Sequence, residues 1–173
     1  MSTFRHLMSS SSTGIKHKFV KYQQVEFMLS LKTDIVINAS QEQVWSALID
    51  FDQYPEWNSF IVNIKGEQRL NGKLEVRIKL DGQKTQTFRP NVVVWRENEY
   101  FSWRGSLPIP GLFIGEHYFE LEKIDHHTTR LIHGENFKGL LARPIMKRIR
   151  ESTLNGFKAM NADLKERVEK GGE

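Results

Sequence analysis

The 173-residue chain contains no cysteine. Disulfides, thiolate nucleophiles and cysteine-bound metals are thereby excluded, and a reducing or redox-indifferent compartment such as the cytoplasm fits. No apolar run approaches the roughly 20 residues a spanning helix requires, so no integral membrane association is expected. Acids are missing from the start of the chain, where none precedes Glu26. Proline is scarce, at five residues, and only Pro90 interrupts a strand-like segment, where it implies an edge or a bulge.

What is present suffices for one domain: 39% of residues are apolar, enough for a core, with no room for a second domain. The net charge of +4 is unevenly spread. Residues 1–30 hold Arg5, Lys16, Lys18 and Lys21 against Glu26, which leaves 21 basic and 20 acidic groups in the remainder. A phosphate-neutralising face needs concentrated basic charge, and the body offers only Arg143, Lys147, Arg148 and Arg150, read as the solvated side of a helix; nucleic acid is not an expected partner.

Residues 1–30, with Ser9 to Ser12 followed by Thr13 and Gly14, are low in complexity and read as a disordered, dispensable extension. Two other readings compete, an upstream addition to a protein whose natural start is Met28, and a transit peptide directing the chain to an organelle. The second has no visible cleavage signal and only Arg5 for arginine.

Regular structure begins at Leu31. Leu31 to Asn38 reads as a strand, and Ser40 with Gln43 forms a capping box that starts a helix at Gln41. Asp52 to Phe60, with Pro55 and Trp57, reads as a turn into a second short helix. Strands follow, with hairpin signals at Asn71-Gly72 and Asp81-Gly82 and alternation from Leu74 to Leu80. Lys84 to Arg96 reads as one strand interrupted at Pro90, which leaves open whether Phe88 or Arg89 points inward.

The richest stretch is Leu112 to Lys138. Phe113, Gly115, His117, Phe119 and Leu121 alternate with Ile114, Glu116, Tyr118, Glu120 and Glu122, one buried and one mostly wet face. After a turn at Asp125 to Thr128, Leu131, His133, Glu135 and Phe137 form the matching set, which places Glu135 across from His117. Leu140 to Lys170 then turns helical, with Ile145, Ile149, Thr153, Gly156 or Phe157, Met160, Leu164 and Val168 on one face and Gly171-Gly172 as the stop. Gly156 and Thr153 either widen a gap between helix and sheet or allow close packing. The elements sum to an α+β layer architecture, a curved antiparallel sheet of about seven strands around a long C-terminal helix, with two short helices after the first strand.

The element order, with Ala39 to Trp45, Phe51 to Asn58, Gly115 to Phe119, His133 to Gly139 and Gly156 to Asn161, resembles the START-like (SRPBCC) superfamily, most closely its polyketide cyclase/dehydrase and lipid-transport branch. The likeness covers about residues 31–170. It implies a helix-grip fold with an elongated apolar cavity for a lipid, polyketide or quinone-like molecule, while function varies widely among such relatives.

The leading expectation is therefore a binding or carrier protein for a small hydrophobic ligand, with no cofactor. The candidate ligand-binding residues are Trp57, Arg89, Trp103, Phe113, His117, Phe119, His133, Glu135, Thr153, Gly156, Phe157 and Met160. A second expectation is a cofactor-independent cyclase or dehydratase in which His117 and Glu135 exchange a proton, with the glutamate raised by burial and the histidine opposing that shift. A third is a protein-interaction module acting on a chaperone or ribosome, which an exposed apolar patch would favour. Iron oxygenases of this fold use two histidines and a carboxylate, but His133 and Glu135 lie two apart on one strand and the other ligand-bearing elements are lacking, so no metal is assigned. The oligomeric state is left open.

Overall fold

A computed structural model describes residues 29–80 and 84–171. The expectations for residues 1–28, the Met28 start, the Asp81-Gly82 turn and Gly172 lie outside the described residues. Leu29 and Ser30, assigned above to the extension, open the first strand opposite Phe137 and Asn136.

The chain runs β1 (Leu29–Ile37), α1 (Gln41–Ile49), a single 3-10 turn (Phe51–Gln53), α2 (Tyr54–Trp57), β2 (Ile61–Gly66), β3 (Leu74–Ile78), β4 (Gln86–Phe88), β5 (Asn91–Arg96), β6 (Tyr100–Ser106), β7 (Ile114–Lys123), β8 (Thr129–Lys138) and α3 (Ala142–Lys170). The first helix starts where its capping box dictates: Ser40 Oγ accepts from the Gln43 amide, and the Gln43 side chain accepts from the Ser40 amide.

The architecture is α+β and antiparallel, a helix grip, but the single sheet of about seven strands is in fact two sheets. One has the order β1-β8-β7-β6-β5 and the other β2-β3-β4. Pro90 is the reason. It lacks an amide hydrogen and cannot continue a ladder, so the expected strand from Lys84 to Arg96 breaks into β4 and β5, which join different sheets. The sheets stay stitched at this point by the Leu74 amide donating to Pro90 O and the Val92 amide to Gly72 O. The loop at Asn71-Gly72 also departs from expectation. Asn71 takes the left-handed conformation its residue type favours, with φ 63°, but the connection spans residues 67–73 rather than two, because its backbone bonds across to β5 through the Asn71 amide and Val92 O.

Helix α3 seals the large sheet along its C-terminal half. Asn161 Nδ2 donates to Thr33 Oγ1, Lys165 Nζ to Val36 O, and the Asn38 amide to Glu169 Oε1, so three successive turns follow β1. Gly156 marks the point of closest approach. A Cβ there would lie 2.2 Å from the Phe60 ring, which makes this glycine a packing residue rather than a spacer. Toward its N-terminus, Ile145, Ile149 and Thr153 instead face open space.

Candidate functional site

That open space is a cavity of about 360 Å³ between the two sheets and the first turns of α3. Its apolar walls come from the alternation in β3, which points Val76 and Ile78 inward, from Ile145 and Ile149 on α3, and from Phe60, Trp103, Phe113 and Phe137. The rim carries Lys84, Phe88, Arg89 and Leu107. His117 and Glu135 close the far wall with Thr153. Leu107, Ile109 and Leu140 are exposed, and the Leu140 amide donates to Gly111 O in the loop that carries Leu107 and Ile109.

The hairpin of β7 and β8 sets the polar end. Its register pairs His117 with Glu135, as the alternation predicts. The side chains nevertheless make a different closest contact. His117 Nε2 lies 2.8 Å from Nε2 of His133, the diagonal neighbour, whereas Glu135 Oε2 is 3.7 Å from His117 Nδ1, too long for a hydrogen bond. The chain of contacts continues from His133 Nδ1 to Asn161 Oδ1 at 2.9 Å and from Asn161 Nδ2 to Thr33 Oγ1 at 3.1 Å. Three elements, β8, α3 and β1, are thereby linked behind the cavity wall.

Aromatic rings enclose both imidazoles. Trp103 stacks on His117 with ring centres 4.7 Å apart and planes within 5°, and Phe157 stacks on His133 at 4.1 Å. Such surroundings penalise charge, so burial lowers the pKa of His117 to about 3 and holds that of His133 well below its ordinary value. Burial likewise pushes Glu135 up to about 8. The expected opposing pull from a histidinium is absent because His117 is neutral. Although the 3.7 Å separation falls within ion-pair range, burial shifts both partners toward their uncharged forms.

Gly115 makes room for the carboxyl, since a Cβ there would lie 2.7 Å from Glu135 Oε1. On the opposite face of β7 the expected wet surface is partly buried. Glu116 is 8% exposed, held by the Arg104 guanidinium at 2.6 Å and by the Ser102 hydroxyl.

Of the candidate residues, Arg89, Trp103, Phe113, His117, Glu135 and Thr153 line the cavity. Phe119, His133, Phe157 and Met160 stand one layer behind it in the core, Gly156 packs on Phe60, and Trp57 sits against Tyr54 with ring centres 4.9 Å apart. Phe88 and Arg89 both reach the rim, and Arg89 pairs with Glu75 at 2.9 Å. Sequence reasoning placed Gly115 on the inner face without giving it a role, and missed Thr33 and Asn161. Asn161 had a legible signal, as a polar residue at helical spacing among Phe157, Met160 and Leu164. Among the described residues, no group of three or more histidines or carboxylates converges on a point; His117, His133 and Glu135 are instead arranged in series.

The profile of the polyketide cyclase / dehydrase and lipid transport family matches residues 28–169. The chain belongs to that family. Solved structures share the fold at low identity. The Zhui aromatase/cyclase from Streptomyces sp. R1128 is 12% identical with a TM-score of 0.66, covering 84% of this chain and 96% of its own. A START superfamily protein from Mycobacterium smegmatis is 23% identical, TM-score 0.62, covering 82% and 97%. A hypothetical protein from Helicobacter pylori is 16% identical, TM-score 0.67, covering 97% and 99%. No curated protein matches by sequence.

Proposed function

We propose that the family member described here binds or carries a small hydrophobic ligand, a lipid, polyketide or quinone-like molecule, in the cavity between the sheets and α3. The observation that carries the reading is the cavity itself, about 360 Å³ with apolar walls and a polar group only at one end and at the rim. Its size falls within the usual range for small-molecule sites. Of the exposed apolar residues, Phe88 and Leu107 belong to the cavity lining, which favours a role in ligand entry over a separate surface for a chaperone or ribosome.

A second reading, acid/base catalysis at Glu135 with His117, draws on the raised pKa of Glu135 and on the fold shared with an aromatase/cyclase. Against it, a histidine that titrates near 3 is a weak base at neutral pH, and the pair is not hydrogen-bonded. Gently purified protein analysed by native mass spectrometry is expected to retain or take up a lipophilic molecule of cavity size. Protein that stays empty when offered a panel of lipids, polyketides and quinones sinks the carrier reading, and turnover of a polyketide that Glu135→Gln abolishes would replace it with the catalytic one.

A further inference from the structure

The tautomers of the two histidines follow from their partners. With Nε2 of His133 turned to His117, its Nδ1 is left to the side-chain amide carbonyl of Asn161. A carbonyl can only accept, so Nδ1 carries the hydrogen. The Asn161 orientation agrees, because its Nδ2 donates to Thr33 Oγ1 and the Thr33 hydroxyl donates to His133 O at 3.3 Å. Neutral His133 therefore presents a lone pair at Nε2, and His117 must supply the hydrogen across the 2.8 Å contact. His117 Nδ1 is left as a bare lone pair, and it faces the Glu135 carboxyl. A carboxylate in that position would meet a lone pair rather than a protein donor, with only 23% of the side chain open to solvent through the cavity. A neutral acid has no such conflict, and at 3.7 Å its proton is not taken up by His117.

The other elements around Glu135 supply no countercharge. Gly115 on β7, Leu31 in register on β1, Trp103 on β6, and Ile149 and Thr153 on α3 do not ionise in this range. Lys84 and Arg89 are the cations of the lining, both exposed at the rim, and Arg89 is already paired with Glu75.

We infer that the polar end of the cavity is an uncharged hydrogen-bond donor, the carboxylic acid of Glu135, and that it takes apolar ligands bearing a carbonyl acceptor, such as a ketone or quinone, in preference to cationic amines. The inference rests on the ligand-binding reading above.

Three probes of one shape test it by calorimetry: 2-acetylnaphthalene, 2-ethylnaphthalene and 1-(2-naphthyl)ethylamine. At pH 6.5 the ketone is expected to bind about five- to tenfold more tightly than the hydrocarbon, the gain of one buried hydrogen bond, and the amine more weakly than either. Above about pH 8 the ketone affinity should fall and its five- to tenfold advantage over the hydrocarbon should disappear as Glu135 ionises. In Glu135→Gln, whose amide donates but does not ionise, that pH dependence should vanish. Equal affinities for ketone and amine, or a ketone affinity in the unaltered protein that ignores pH, overturn the inference while leaving ligand binding intact. Failure of all three probes, the hydrocarbon included, removes the binding reading and the inference together. Carbon-13 NMR of the glutamate carboxyls needs no variant: a Glu135 signal already ionised at pH 6.5 also overturns the inference.

Discussion

Glu135 and the two buried histidines pull stability in opposite directions as pH changes. The folded pKa of Glu135 stands near 8 against an ordinary 4.5, so the unfolded chain releases that proton first, and stability falls as pH rises between those values by up to about 1.4 kcal/mol per unit. His117 is depressed from 6.5 to about 3, which makes stability rise with pH over that interval, and His133 acts in the same sense. Where the windows overlap, two histidines outweigh one glutamate. The cluster's contribution should therefore peak near pH 6.5 and decline toward 8. Urea denaturation at pH 5, 6.5 and 8 checks this, and Glu135→Gln should remove the decline above 6.5 while leaving the acid limb. A decline that survives the substitution would place its origin elsewhere.

At the scale of elements, the strands of the hairpin were the most legible part of the sequence. Alternation set the His117–Glu135 register without reference to anything distant. What alternation could not supply was the lean of side chains along the strands, which pairs His117 diagonally with His133. Nor could it foresee Asn161 and Thr33, because those contacts join elements 28 and 128 residues apart. Pro90 announced an interruption, but whether a proline bulges a strand or hands the chain to a second sheet depends on neighbours that pair only after folding. The contact of α3 with Phe60 yields a test at this scale. Gly156→Leu forces a side chain into the Phe60 ring and should cost about 1–3 kcal/mol, read as a lowered melting temperature with unchanged secondary structure. A melting temperature that does not move would mean that α3 can stand further from the sheet than its present packing indicates.

For the whole molecule, the cavity is stability forgone. Close-packed interiors rarely leave such space, and apolar walls without a guest lose contacts that a larger side chain would restore. Ile149→Trp, directed from α3 into the cavity, should raise stability by about 1 kcal/mol and the melting temperature by a few degrees, while native mass spectrometry finds the guest excluded. Guest uptake that persists in this variant would locate binding outside the cavity. The fold itself is shared by proteins only 12–23% identical to this one.

The parallel stack of Trp103 on His117 has an optical consequence. The indole forms part of the cavity wall and touches a ring that stays uncharged until strongly acidic pH. An imidazolium quenches indole emission and a neutral imidazole does so far less, so through the physiological range this tryptophan sits beside a silent neighbour. A guest entering the cavity changes the surroundings of the same indole. The protein thus carries a fluorophore in the cavity wall, and entry of a guest should appear as a change in its emission over the background of the other three tryptophans, without any label attached.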